Sequence, residues 1–160
     1  MRFMRSAAKS LLFRRRLYRG VRAVWPGVKD TELERFWLIG PAPGEVLVQT
    51  EYTAVSPGTE RRYYENARDF HIEYPYFPGY SGTGIVLSAG KTVTGFHPGD
   101  RVAGVIKHAG KSIAPSASLA RVPAGLVGPA PSLVTLGVIA MAGVRQAEIR
   151  PGSRVVVIGQ

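Results

Sequence analysis

From residue 31 to residue 122 short hydrophobic runs alternate with turn residues, a pattern that predicts a string of β-strands. Leu33, Phe36 and Leu38 mark one strand, closed by Gly40-Pro41-Ala42-Pro43-Gly44. Between Glu45 and Val55, Val46, Val48 and Thr50 alternate with Leu47, Gln49 and Glu51, the period-two signal of a strand. Pro57-Gly58 breaks that run, and a polar and aromatic stretch follows over 59–77, with a short helix expected near Glu60 to Asp69. Pro78-Gly79 opens a strand over Thr83 to Ala89. His97-Pro98-Gly99-Asp100 turns the chain into Arg101 to Ile106, and further strands are expected over Ser112 to Ala120 and Ala120 to Val122.

The pattern changes at both ends. Ser132 to about Glu148 reads as an apolar helix. Pro151-Gly152-Ser153 then turns into Arg154-Val155-Val156-Val157-Ile158, a β-branched run without polar alternation, as expected of a strand buried on both faces of a parallel sheet. Upstream, Met4, Ala8, Leu11, Tyr18, Val21 and Trp25 fall at helical spacing, which predicts an amphipathic helix over 3–25, ended by Pro26-Gly27. The fold class is therefore mainly β with some α: a β domain feeding the start of an α/β unit. Three parts are expected: a basic N-terminal extension (1–30), a β domain (31–130), and the opening of a further domain (131–160).

The net charge of +10 suggests a nucleic-acid binder until it is located along the chain. Residues 1–29 carry nine basic side chains and no acidic one, whereas residues 30–160 carry twelve basic and eleven acidic. The basicity belongs to the arm. Four readings of that arm stand side by side: a solvated extension, contact with a membrane surface or anionic partner, contact with a phosphate backbone, and an organelle-type presequence. No reading element for a specific nucleic acid accompanies it. The chain has no cysteine, which excludes disulfides and thiolate-bound metal. No apolar run reaches the length of about 20 residues that a spanning helix needs, and a cytoplasmic protein is expected.

Several motifs occur in an order that resembles the medium-chain dehydrogenase/reductase (alcohol dehydrogenase-like) superfamily. Pro43-Gly44-Glu45-Val46-Leu47-Val48 is similar to its opening strand. Ala54-Val55-Ser56-Pro57-Gly58-Thr59-Glu60 sits where zinc enzymes of the superfamily have a cysteine turn, and Phe77-Pro78-Gly79-Tyr80-Ser81-Gly82-Thr83-Gly84 where they have Gly-His-Glu. Pro98-Gly99-Asp100-Arg101-Val102 resembles the Gly-Asp-Arg-Val turn, and Pro151 to Gly159 the first Rossmann strand. The resemblance spans 31–160 and leaves the arm outside. It implies a GroES-like, partly open β-barrel, followed by the start of a truncated Rossmann domain. The resemblance is to the zinc-independent branch, and the chain then reads as the front of a zinc-independent NAD(P)-dependent oxidoreductase that moves hydride between nicotinamide and a carbonyl, alcohol or activated alkene. As a fragment it is expected to be inactive alone, with a small-molecule substrate and a possible homodimer in the full-length protein. The alternative is a non-catalytic GroES-like module whose basic arm meets an anionic partner or membrane surface.

The same resemblance frames the candidate sites. The zinc-ligand positions hold Pro57, Tyr80 and Ser81, which are poor or impossible zinc ligands, and His71, His97 and His108 show no ligand spacing, so no metal is expected. Without metal, a carbonyl must be polarised by hydrogen-bond donors, and Ser56, Thr59, Tyr80 and Ser81 are the candidates. Tyr80 is the candidate proton donor; the plainer reading has these hydroxyls satisfying turn backbone and Tyr80 packing. Glu60 either orients a donor or substrate hydroxyl, or is a helix-start carboxylate near the positive dipole end. Tyr63, Tyr64, Phe70, Tyr74, Tyr76 and Phe77 line an apolar substrate pocket, form core, or make a lid over the barrel mouth. Gly79, Gly82 and Gly84 precede a strand instead of a helix, so they read as a close backbone crossing and not as a nucleotide loop. Gly159 and Gln160 occupy the start of the NAD or NADP site, which lacks its remaining glycines here.

Overall fold

A computed structural model of the chain describes residues 16–68 and 71–158. Two sheets are present among the described residues. β1 (Leu17–Val24) and β2 (Glu32–Ile39) form an antiparallel ribbon. β3 (Glu45–Thr53), β4 (Gly82–Ala89), β5 (Arg101–Gly104), β6 (Lys111–Pro115) and β7 (Leu119–Arg121) form an antiparallel sheet in the order β6-β3-β4-β5-β7. Three residues, a 3-10 turn over Ser116–Ser118, join the two outermost strands of that sheet. In a flat sheet strands about 4.8 Å apart would put those edges about 19 Å from each other, whereas four Cα steps reach at most about 15 Å. The sheet must therefore curl, and it does so into a partly open barrel of the GroES-like kind.

The inside of the curl holds Val46, Val48, Val86, Val102 and Ile106, with Ala89, Val93, Phe96 and Leu119 packed against them. Val46 and Val48 are even positions of β3, paired across to Ala89 and Val86 of β4 as the period-two pattern requires, while Val93, Phe96 and Ile106 reach the cluster from loops. Leu47, from the opposite face of β3, is equally buried. The ribbon accounts for part of this second covered face: it is laced to the β5–β6 loop by Ala23 N–H to His108 O and Gly110 N–H to Val21 O, both 2.8 Å.

The helix expected over 3–25 is corrected by the structure. Residues 1–15 lie outside the described set, and Leu17–Val24 is β1, paired from Leu17↔Ile39 to Val24↔Glu32. Long-range pairing overrides the local helical spacing. Gly20 and Arg22 show why this register works: a side chain on Gly20 would strike the Phe36 ring, and the Arg22 guanidinium lies between the rings of Phe36 (4.7 Å) and Phe77 (3.7 Å) while pairing with Glu34 at 2.8 Å.

The helix expected near Glu60 to Asp69 is shorter, α1 (Thr59–Tyr64). It stops where Asn66 takes a left-handed backbone (φ 48°), a common helix terminator. The stretch 112–122 divides into β6, the 3-10 turn and β7. A second 3-10 turn (Ala130–Leu133) leads into α2 (Val134–Gln146), which leaves Val138, Ile139, Met141 and Val144 exposed. Arg154–Ile158, expected as a strand buried on both faces, pairs with no strand among the described residues, and Val156 and Ile158 are 84% and 93% exposed. Its composition suits a parallel sheet, but no parallel neighbour is present among the described residues to bury it. No helix among the described residues is long and apolar enough to cross a membrane.

Arg101 closes the lower rim. Its guanidinium binds Glu51 at 2.7 Å and donates to the carbonyls of Leu126 (2.7 Å) and Gly128 (3.0 Å). Arg101→Ala is expected to cost about 1–2 kcal/mol, since charged hydrogen bonds are strong but these are partly solvated. Hydrogen exchange checks this: amides of 122–129 should lose protection while those of β3 and β4 keep it.

Candidate functional site

The two turns singled out in the sequence, 54–60 and 77–81, are held by one buried carboxylate. Glu60, in the first turn of α1, is 4% exposed. Its Oε2 accepts the Ser56 N–H (2.7 Å), and its Oε1 accepts the Gly79 N–H (3.0 Å) and meets His108 Nε2 at 2.9 Å. The other ring nitrogen of His108, Nδ1, lies 2.8 Å from Thr53 Oγ1. One side chain thus ties together the end of β3, the 77–81 turn and the β5–β6 loop. Burial pushes the Glu60 carboxyl up, but the His108 hydrogen bond, the two backbone N–H donors and the charge of His108 outweigh it and hold its pKa below the ordinary value. The same carboxylate acts on its neighbours. Burial lowers the Lys107 pKa, and Glu60 partly opposes that. Burial raises the Tyr76 pKa, with Tyr63 and Glu60 adding to it.

The candidate hydroxyls are placed differently from one another. Ser56 is buried, and its N–H is held by Glu60. Thr59 and Tyr80 are half-buried. Ser81 is buried; its hydroxyl donates to the Ser132 carbonyl and accepts from the Thr135 N–H (3.3 Å). The Thr135 hydroxyl in turn donates to the Tyr80 carbonyl at 3.1 Å. Ser81 therefore fastens the barrel to the start of α2. Gly159 and Gln160 lie outside the described residues.

The three glycines beside these turns mark close crossings. A Cβ on Gly79, which has φ +96°, would fall on the backbone of Lys107 and His108. One on Gly84 would fall on Gln49 O, and one on Gly82 would come within 2.9 Å of Ile106 and Tyr52 O. The aromatic cluster closes on itself around Trp25. Trp25 lies 5.3 Å from Tyr64 and 5.5 Å from Tyr76, Tyr63 lies 5.8 Å from Tyr76, and the Tyr74 hydroxyl donates to Tyr63 O. The tyrosine rings are half-buried, while Phe77 lies apart, against Arg22; Phe70 lies outside the described residues. An apolar cavity of about 290 Å³ opens between Ala103, Val122, Leu126, Pro131 and Val134, and none of the candidate hydroxyls borders it.

Sequence reasoning gave Thr53 and Thr135 no role, weighed His108 only as a metal ligand and placed Trp25 only on a helix. Their partners are up to 55 residues away, and no local spacing signals such contacts. Among the described residues no group of three or more His, Cys, Asp or Glu side chains is placed to hold a metal.

The chain is 38% identical over 78 residues to 2-desacetyl-2-hydroxyethyl bacteriochlorophyllide A dehydrogenase of Cereibacter sphaeroides, a match covering 48% of this chain and 24% of that one. It is 33% identical over 79 residues to sorbitol dehydrogenase of Bos taurus, covering 48% and 22%. These matches span about a quarter of the relatives' length. The Escherichia coli quinone oxidoreductase, solved as a complex with NADPH, superposes with a TM-score of 0.70 at 18% identity, over 79% of this chain and 41% of that one, which establishes the shared fold. Residues 42–131, more than half of the chain, match the alcohol dehydrogenase GroES-like domain, and the chain thus belongs to that family, within the medium-chain dehydrogenase/reductase superfamily.

Proposed function

We propose that this domain forms the substrate wall of a zinc-independent, NAD(P)-dependent oxidoreductase acting on a carbonyl, alcohol or activated alkene. The observation that carries the reading is the Glu60 carboxylate spanning both turns at which the superfamily's substrate chemistry takes place. It fixes the backbones bearing Ser56, Thr59 and Tyr80 relative to one another, as a pre-organised donor site requires.

The residues present do not fit a catalytic zinc. Pro57 offers no ligand, the Ser81 hydroxyl is engaged by Ser132 and Thr135, and Glu60 and His108 satisfy each other and the backbone. Polarisation of a substrate oxygen then falls to neutral donors, with Tyr80 and Thr59 the half-buried hydroxyls available to it. A nicotinamide, when bound by a Rossmann domain, supplies or accepts the hydride. The task of this chain's residues is to seat the substrate, exclude water and donate a proton to its oxygen. NAD or NADP is the cofactor of this reading, with 31–130 as substrate domain and 131–160 as the opening of the cofactor domain.

The test is turnover by the gene product with NADH or NADPH against a panel of quinones, enones, ketones and polyols. Oxidation or reduction of nicotinamide is expected for one class. Tyr80→Phe is expected to lower kcat by about 100-fold, the usual share of a general acid, with unchanged circular dichroism. Failure of every substrate class together with absent nicotinamide binding would overturn the reading, and activity lost to a chelator and restored by zinc would overturn the metal-free part of it.

A further inference from the structure

We propose that the outer face of the β1–β2 ribbon docks on an anionic lipid bilayer. The register sorts the ribbon's residues onto two faces. The inner face carries the pairs Tyr18/Leu38, Gly20/Phe36, Arg22/Glu34 and Val24/Glu32. The outer face carries Leu17/Ile39, Arg19/Trp37, Val21/Arg35 and Ala23/Leu33. Both acidic residues of the ribbon fall on the inner face, and every outer position is apolar or arginine.

A ribbon of a water-facing surface should alternate the other way, polar out and apolar in. Here Leu33 is 78% and Trp37 65% exposed, and Leu17, Val21 and Ile39 are exposed beside them, with Arg19 and Arg35 exposed among them. A face of large aliphatic side chains, one tryptophan and arginines, with no acidic residue on it, matches the headgroup region of a bilayer. Tryptophan prefers that boundary, aliphatic side chains reach the acyl region, and arginine meets anionic headgroups. The chain leading into β1 continues the theme: residues 1–16 contain Arg2, Arg5, Lys9, Arg14, Arg15 and Arg16 and no acid. Charge complementarity therefore selects an anionic surface. The exposed aliphatic side chains and Trp37 beside the arginines favour a lipid surface, which offers an apolar layer beneath its charge, over an acidic protein, which would meet the arginines alone. This inference is independent of the proposed catalytic reading.

The experiment mixes the 160-residue chain with vesicles of phosphatidylcholine alone and with vesicles containing phosphatidylglycerol, followed by flotation and tryptophan emission. Binding to the anionic vesicles only, weakened by salt, is expected. Trp37 emission should shift to the blue and be quenched by brominated lipid, and Trp37→Phe should abolish the shift, because Trp25 is already buried. Arg19→Glu with Arg35→Glu, and separately Leu33→Ser with Trp37→Ser, should each lower binding by about tenfold or more. All four positions are exposed, so these variants should fold. Three results overturn the proposal: no binding to anionic vesicles; wild-type binding by both double variants, with Trp37 of the parent chain unshifted on the vesicles, which assigns the contact to residues 1–16 alone; or loss of self-association in the double variants without vesicle binding by the parent, which assigns the face to a second copy of the chain.

Discussion

Glu60→Gln is expected to destabilise the domain by about 2–4 kcal/mol, because it removes a buried charged acceptor and leaves a buried donor unpaired. The wild-type carboxylate receives two backbone N–H groups and His108. An amide has one oxygen, so its NH2 must face a backbone N–H that also donates, and one donor is left buried without a partner. The loss should show as a lowered urea midpoint with an unchanged slope. His108→Gln keeps a donor for Glu60 and should cost less. The pH dependence has a definite sign. The folded Glu60 pKa lies below its ordinary 4.5, so the unfolded chain binds more protons in that range. The stabilisation is complete above the ordinary value and disappears as pH falls through the folded one. Glu60→Gln should flatten this part of the acid unfolding curve. A glutamine variant within 1 kcal/mol of wild type, with the same acid profile, would show that the carboxylate is not what joins the turns.

Gly84→Ala and Gly79→Ala should be nearly as damaging. At Gly84 the new methyl would fall on Gln49 O and Val48 Cγ1, in the middle of the β3–β4 pairing. Overpacking of this kind costs about 1–3 kcal/mol, and here the obstacle is backbone that cannot rotate away. At Gly79 a backbone strain of about 1–3 kcal/mol for the left-handed conformation adds to overlap with His108. The displaced loop would also pull the Gly79 N–H from Glu60. Gly95→Ala, where a Cβ meets nothing within 4 Å, should change stability by less than about 0.5 kcal/mol. Thermal unfolding of the three variants checks the order, and a Gly84→Ala protein as stable as Gly95→Ala would contradict the crossing.

The barrel was legible because its strands carry their own signals. Val46, Val48 and Val86 alternate, and Gly or Pro marks the ends of β3 and the approaches to β4 and β5, so pairing only had to agree with local preference. The glycines 79, 82 and 84 were legible for the same reason: a strand after them excludes a nucleotide loop. β1 was not legible. Leu17, Val21 and Trp25 satisfy helical spacing, and what overrides it is a partner strand whose grip depends on Arg22 lying between two phenylalanines. The last β-branched run misled in the opposite direction, since composition describes what would bury Val155–Ile158 but not whether it is there. At the candidate site the turns were legible and their joint was not. Glu60 offers a helix-start role at short range, while its actual partner His108 stands 48 positions away.

The three-residue link between β6 and β7 also bears on solubility. An open sheet of five strands presents two ladders of free amides and carbonyls to any passing chain. Stitching its first and last members together so tightly, and making one of them only three residues long, leaves little length on which a foreign strand could grow. Lengthening Ser116–Ser118 would relax that seam and invite the sheet to polymerise.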